Sequence, residues 1–133
     1  MSIPLLTVFI AALLIYVPRA FVLHAQVQKG LDNRTPRLQQ AALTGLGARA
    51  QGAHMNGFEA FAPFAAGVLG CLVHGVHEAS IVPFALGFVV LRTIYIGLYL
   101  ANIAPARSLV WGLGVACSAV LLVKAFLPLA TTI

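Results

Sequence analysis

Nine side chains in this sequence combine the types and spacing needed to hold a small polar ligand. Arg49, Asn56 and Glu59 fall on one helical face together with Gly45, Gly52 and Pro63, because the steps between them alternate fours and threes. Arg92, Tyr95, Tyr99 and Asn102 recur at three, four and three, which makes a second face of the same kind. Arg107 and Ser108 follow shortly after. Guanidinium, phenol, hydroxyl and carboxamide groups are hydrogen-bond donors, and Glu59 is the single strong acceptor among them. Facing one another, such residues line a polar cavity suited to an anionic, hydrogen-bonding ligand.

The elements that must position these groups are unusually apolar. Of 133 residues, 61% are hydrophobic and 8% charged, and the mean hydropathy is +0.99. A soluble domain carries about 25% charged residues, and a disordered chain has far less apolar content. Four stretches approach the roughly 20 residues that cross a bilayer: Ile3 to Leu23, Met55 to Val73, Ile81 to Ile103 and Leu109 to Leu129. The first is longer than a signal-peptide core and has no basic residue before it, so it is expected to be retained. The expected fold is an all-α integral membrane protein, a four-transmembrane-helix bundle in one domain, with helices over about residues 3–23, 36–73, 81–103 and 108–129. The net charge of +5 is too sparsely distributed for nucleic acid and is better explained as a topology signal.

Lys29, Arg34, Arg37 and Arg107 lie in the first and third connections, whereas the connection from His74 to Ser80 has no Lys or Arg. The positive-inside rule therefore places the first and third connections in the cytoplasm and both termini on the other side. Thr35 followed by Pro36 is a helix-start signal, with Thr35 as N-cap. A second helix running from Pro36 to Val73 would be roughly 55 Å long and project into the cytoplasm.

Depth brings the two polar faces together. Counted from the outer connection, Glu59 lies about 21 Å in and Arg92 about 16 Å in, within side-chain reach. An unpaired arginine in mid-bilayer costs roughly 2.5 to 3.5 kcal/mol, and Glu59 is the only acid at that level, so a buried Glu59–Arg92 ion pair is expected.

The segment Arg49-Ala-Gln-Gly-Ala-His-Met-Asn56-Gly-Phe-Glu59 followed by Pro63 resembles the second-helix signature of the MAPEG family, the membrane-associated proteins of eicosanoid and glutathione metabolism. Arg92, Tyr95 and Tyr99, and the run Ala-Pro-Ala-Arg107-Ser108, are similar to that family's third helix and fourth-helix start. Asp32-Asn33-Arg34-Thr35-Pro36-Arg37 resembles its bacterial members, which implies a bacterial inner membrane. The resemblance implies a homotrimer with glutathione as co-substrate, bound between subunits near the cytoplasmic side. It further implies that Arg49, Asn56, Glu59, Tyr95 and Tyr99 line the glutathione site with Arg92 supporting it. Arg107 would favour the thiolate of a thiol whose pKa is ordinarily about 8.5, and Ser108 would donate to sulfur. Gly52, Met55 and Gln28 stand where active members often carry further arginines.

The function this implies is a membrane-bound, glutathione-dependent transferase or peroxidase for lipophilic electrophiles arriving from the bilayer, with itself and membrane lipids as partners. The alternatives are a non-catalytic lipid-binding or scaffolding member of the same fold, and a small transporter using Glu59 as a proton-coupled carboxylate, against which Arg92 at similar depth argues. His74, His77 and Glu78 supply too few ligands in the wrong order for a zinc site, so no metal is expected. His54 lies off the polar face and is expected to pack. Cys71 and Cys117 are expected to be apolar packing residues without a disulfide, Gly67 and Gly70 to allow close helix contact, and Tyr16 and Trp111 to anchor at the membrane interface, with bordering the ligand the alternative for Trp111, one turn after Arg107.

Overall fold

The structure is a computed structural model; it describes residues 2–130, and side chains as far as residue 127. It is all helix among the described residues: α1 (Ile3–Leu14), α2 (Val17–Gln28), α3 (Pro36–Ala41), α4 (Gly45–Val73), α5 (Glu78–Leu100) and α6 (Ala104–Ala130). Taken as one apolar run, Ile3–Gln28 is long enough to cross a membrane, as are α4, α5 and the stretch Ala104–Leu127 of α6. The protein is an integral membrane four-helix bundle in which α4 packs on α6, α5 and α2, and α6 on α4 and α5.

Two of the expected helices are broken. The first crossing extends past residue 23 to Gln28 and is interrupted at Ile15 and Tyr16. Pro18 lacks the N–H that would have bonded Leu14, so the ladder opens there. His54, 6% exposed, fills part of the gap by donating from Nδ1 to the Ile15 carbonyl at 2.8 Å. Tyr16, expected at an interface, instead lies midway along this crossing, with its ring 6.1 Å from His54 and 6.3 Å from Phe58.

The single long helix expected from Pro36 to Val73 is two helices. After Ala41 the chain turns, Thr44 is extended and Gly45 takes a φ of +56°, a conformation that a side chain disfavours. The continuous part, 29 residues, is about 43 Å long instead of 55 Å. The short α3 is tied back to α2 by Gln26, whose Nε2 donates to Gln39 Oε1 at 3.0 Å and to the Pro36 carbonyl at 3.4 Å. Thr35 stands at the N-cap position of α3, but its hydroxyl caps nothing: it donates to Asp32 Oδ2 at 2.7 Å. That bond first, and the Arg34 amide second, hold the Asp32 carboxyl below its ordinary range.

The core is sealed between α4, α5 and α6. The rings of Phe64 and Phe88 stack with centroids 3.9 Å apart, and Val68, Cys71, Ile81, Ala85 and Leu121 are fully buried around them. A Cβ on Gly67 would stand 2.8 Å from the Leu121 Cβ and 3.1 Å from the Leu122 backbone nitrogen, and one on Gly70 2.9 Å from the Ala125 Cβ. At Gly67 the neighbour is partly backbone and cannot step aside. Gly67→Val is therefore expected to destabilise the bundle by about 1–3 kcal/mol, the usual range for overpacking. Thermal unfolding in detergent measures it; an unchanged midpoint would mean that α4 and α6 are not held this closely.

The ends of α5 are closed by other parts of the chain. At its start, Glu78 Oε1 accepts the Ile3 N–H at 3.0 Å and so anchors α1. At its end, Asn102 is not on the helical face that its spacing suggested. It has a φ of +62° in the turn to α6, where the Ile103 N–H bonds the Leu98 carbonyl at 3.0 Å and the Asn102 N–H the Tyr99 carbonyl at 3.2 Å. Asparagine tolerates this left-handed helix stop better than most residues.

Candidate functional site

The two polar faces read from the sequence meet along the seam where α4 faces α5 and the start of α6. From one end of the seam, the Arg49 Nε donates to the Leu100 carbonyl at 3.1 Å, closing the last turn of α5. Gly52 follows, and its missing side chain makes room for Tyr99: a Cβ there would stand 2.4 Å from the phenol oxygen and 2.9 Å from Cζ. One turn further, Asn56 Oδ1 accepts from Arg92 Nη1 at 2.9 Å, and Asn56 Nδ2 donates to Glu59 Oε2 at 3.1 Å.

The direct Glu59–Arg92 ion pair is therefore not formed. Both residues reach the same seam, but Asn56, one turn before Glu59 on the same face, stands between them. Arg92, 6% exposed, is satisfied by this carboxamide and by the Tyr95 ring, 4.2 Å beneath its guanidinium carbon. The neutral oxygen pairs one of the arginine's five N–H donors, and the aromatic ring gives its plane a polarisable face.

The same motif repeats one turn along α5. The Arg107 guanidinium carbon lies 4.3 Å over the Tyr99 ring, and Tyr99 meets Tyr95 edge to face at 5.5 Å. Arg92, Tyr95, Tyr99 and Arg107 thus form a continuous stack from the bundle interior to the α5–α6 turn. The stack fixes two long cationic side chains at little further entropy cost, because each guanidinium plane rests on a ring already held by its neighbour.

Two cavities flank the stack. A polar hollow of about 220 Å³ is lined by Asn56, Tyr95, Tyr99, Arg107, Ser108 and Trp111. A mostly apolar slot of about 210 Å³ runs between α4, α5 and α6, past Glu59, Pro63, Phe88, Gly114 and Ser118. The two share Asn56 and Trp111, so the indole and the carboxamide divide a wet compartment from a greasy one. Pro63 denies the Glu59 carbonyl its helical partner, leaving another acceptor at the slot.

Seven of the nine residues singled out by type and spacing therefore line one or both cavities: Asn56, Glu59, Arg92, Tyr95, Tyr99, Arg107 and Ser108. Arg49 and Asn102 line neither. Trp111, Gly114 and Ser118 also line the site and were not placed there by spacing, except that Trp111 follows Arg107 by one turn. The signal lay in α6 itself, where Arg107, Trp111, Gly114 and Ser118 continue one face at steps of four, three and four. Among the described residues, no cluster of His, Cys, Asp or Glu has the arrangement of a metal site.

Fold and site together define an integral membrane four-helix protein with a polar cavity opening between its spans. The family model described as the MAPEG family matches residues 3–127, and the chain belongs to that family. No curated protein and no solved structure matches it. Membership carries, in general terms, a membrane-bound glutathione-related transferase, peroxidase or related function.

Proposed function

We propose that this protein is a membrane-bound, glutathione-dependent transferase or peroxidase acting on lipophilic electrophiles. The observation that carries the reading is the adjacency of the two cavities. A hollow holding one fixed guanidinium, Arg107, beside the Ser108 hydroxyl shares a wall with an apolar slot of similar size.

The chemistry follows from those parts. Glutathione lies in the polar hollow with its sulfur near Arg107, whose charge favours the thiolate over the thiol. Ser108 donates to sulfur, Asn56 meets an amide of the tripeptide, and the Glu59 carboxylate, which lines the slot beyond Asn56, meets its amino group where the tripeptide extends past that residue. Tyr95 and Tyr99 shape the floor. The lipophilic acceptor enters the slot from the bilayer, and the thiolate attacks its electrophilic atom at the Trp111 boundary. In a transferase reaction a carbon–sulfur bond forms and the displaced group, or the opened ring oxygen, takes the electron pair and then a proton. Arg49 has a structural part, since its Nε is committed to Leu100.

The assembly is proposed to be a homotrimer with the site at a subunit interface. Support comes from the outer face of α4, where Gln51, Met55 and Phe58 border a groove with Arg37, Gln40 and Ala41. Arg37, Gln40 and Gln51 give a neighbouring protomer polar groups to meet in that groove. The hollow lies at the end of the bundle that carries Arg107, the end assigned to the cytoplasm by its basic connections.

The test is conjugation of glutathione to a generic lipophilic electrophile by the detergent-solubilised protein, beside its mass in detergent. Turnover by a trimer is expected. Binding of lipophiles without any thiol-dependent turnover would replace this reading with the non-catalytic, lipid-binding one.

A further inference from the structure

Among the described residues Arg92 is the one charge sealed inside the bundle beside the site, and its place in the hydrogen-bond pattern gives it a use beyond packing. A guanidinium has donors only, so the group facing it on Asn56 must be the oxygen. This settles a carboxamide orientation that geometry alone often leaves open. With Oδ1 turned to Arg92 at 2.9 Å, Nδ2 must point away, and it donates to Glu59 Oε2 at 3.1 Å. Among the described residues nothing donates to Glu59 Oε1, and the exposed residue lines the slot next to Asn56, the side chain through which the slot meets the polar hollow.

Resting on the glutathione reading above, we infer that Arg92 and Asn56 form a one-way hydrogen-bond relay that fixes Glu59 as an acceptor for the ammonium group of the bound thiol. Arg92 is then a positioning residue: it is withdrawn behind Asn56 and Tyr95 and acts on the ligand only through the carboxamide. Direction is the essential property. Without the arginine, nothing holds Oδ1, and the Asn56 side chain is free to swing its amide off Glu59, which leaves the carboxylate unfixed. A direct ion pair in the same place would have spent Glu59 on Arg92 and left nothing for the ligand. The intervening neutral residue prevents that. The thiol selected is accordingly one bearing a free amino group.

The experiment is equilibrium binding to the solubilised full chain of glutathione and of its analogue lacking the α-amino group. The wild type is expected to prefer glutathione by about tenfold or more, the worth of one charge-assisted contact. Arg92→Met should weaken glutathione alone, bringing the preference to about twofold or less, while Arg92→Lys, which still donates to Oδ1, restores it. Asn56→Asp, which aims an oxygen at Glu59, should lose the preference as Arg92→Met does, and it gives the same readout if the methionine variant does not fold. The relay is overturned if both ligands weaken equally in these variants, since that is the mark of a purely structural arginine. It is equally overturned if the wild type binds the two ligands alike or if the preference survives the substitutions. A wild type that binds neither thiol removes the glutathione reading itself, and the relay with it.

Discussion

Arg107→Ala is expected to lower the rate of glutathione conjugation at neutral pH by about 10²- to 10³-fold, the size of effect seen when one preorganised electrostatic partner is removed from a reacting anion. The guanidinium does not wander: it lies 4.3 Å over the Tyr99 ring, which Tyr95 braces at 5.5 Å. Its charge is therefore present before the thiol ionises and needs no reorganisation. A thiol with a pKa of about 8.5 is only a few per cent thiolate near pH 7, so an enzyme deprived of its cation depends on solution ionisation. The sign of the pH effect follows. The wild type should show a flat profile above neutrality, whereas the alanine variant should gain activity as pH rises toward the free thiol's own range. Arg107→Lys should fall between the two, because a lysine keeps the charge but not the planar stack on Tyr99. Initial rates from pH 6 to 9 measure all three proteins. An alanine variant with the wild-type rate and profile would remove Arg107 from the chemistry.

Gly52→Ala should produce the second large loss, roughly ten- to a hundredfold in kcat/KM, with little change in folding. The new methyl would stand 2.4 Å from the Tyr99 phenol oxygen and 2.9 Å from its Cζ, closer than real contacts allow. The end of one side chain is normally cheap to move. Here it is not, since the Tyr99 ring is also the platform for Arg107 and the edge partner of Tyr95. Displacing it on the order of 1 Å carries Arg107 off position, and misplacement of that size costs about 10²-fold in a preorganised site. Tyr99→Phe removes the atom that clashes first. In that background the alanine should cost much less, so the double-mutant cycle should be strongly non-additive. Equal losses in both backgrounds would show that Gly52 does not act through Tyr99.

How far the site was legible in the sequence depends on what kind of evidence each residue leaves there. The faces carrying Asn56 and Glu59, and Arg92, Tyr95 and Tyr99, were visible because a transmembrane helix is so apolar that a polar residue at helical spacing stands out. Their approach could be expected from depth alone. Their partners could not be: two charges at one level suggested an ion pair, and the interposed Asn56 depends on rotamers that spacing does not encode. Gly52 illustrates the same limit. In the sequence it is an absent cation; in the fold it is the space that Tyr99 occupies.

The sequence by itself determined that the chain is four apolar spans with internal polar faces and that it belongs with the MAPEG proteins. Those properties follow from hydropathy, helical period and local motif, all of which are written along one dimension. Only the tertiary structure decided where the helices break, at Ile15–Tyr16 and before Gly45, and that His54 closes one of those breaks. It alone decided that Arg49 serves the end of α5 while Arg107 reaches the hollow, and that Trp111 and Asn56 divide the polar compartment from the apolar one. The physical reason is common to all of these. Hydrogen-bond partners, ring stacks and cavities are relations between residues such as Asn56 and Arg92, 36 apart in the chain, and become definite only when helix rotation and side-chain packing are solved together.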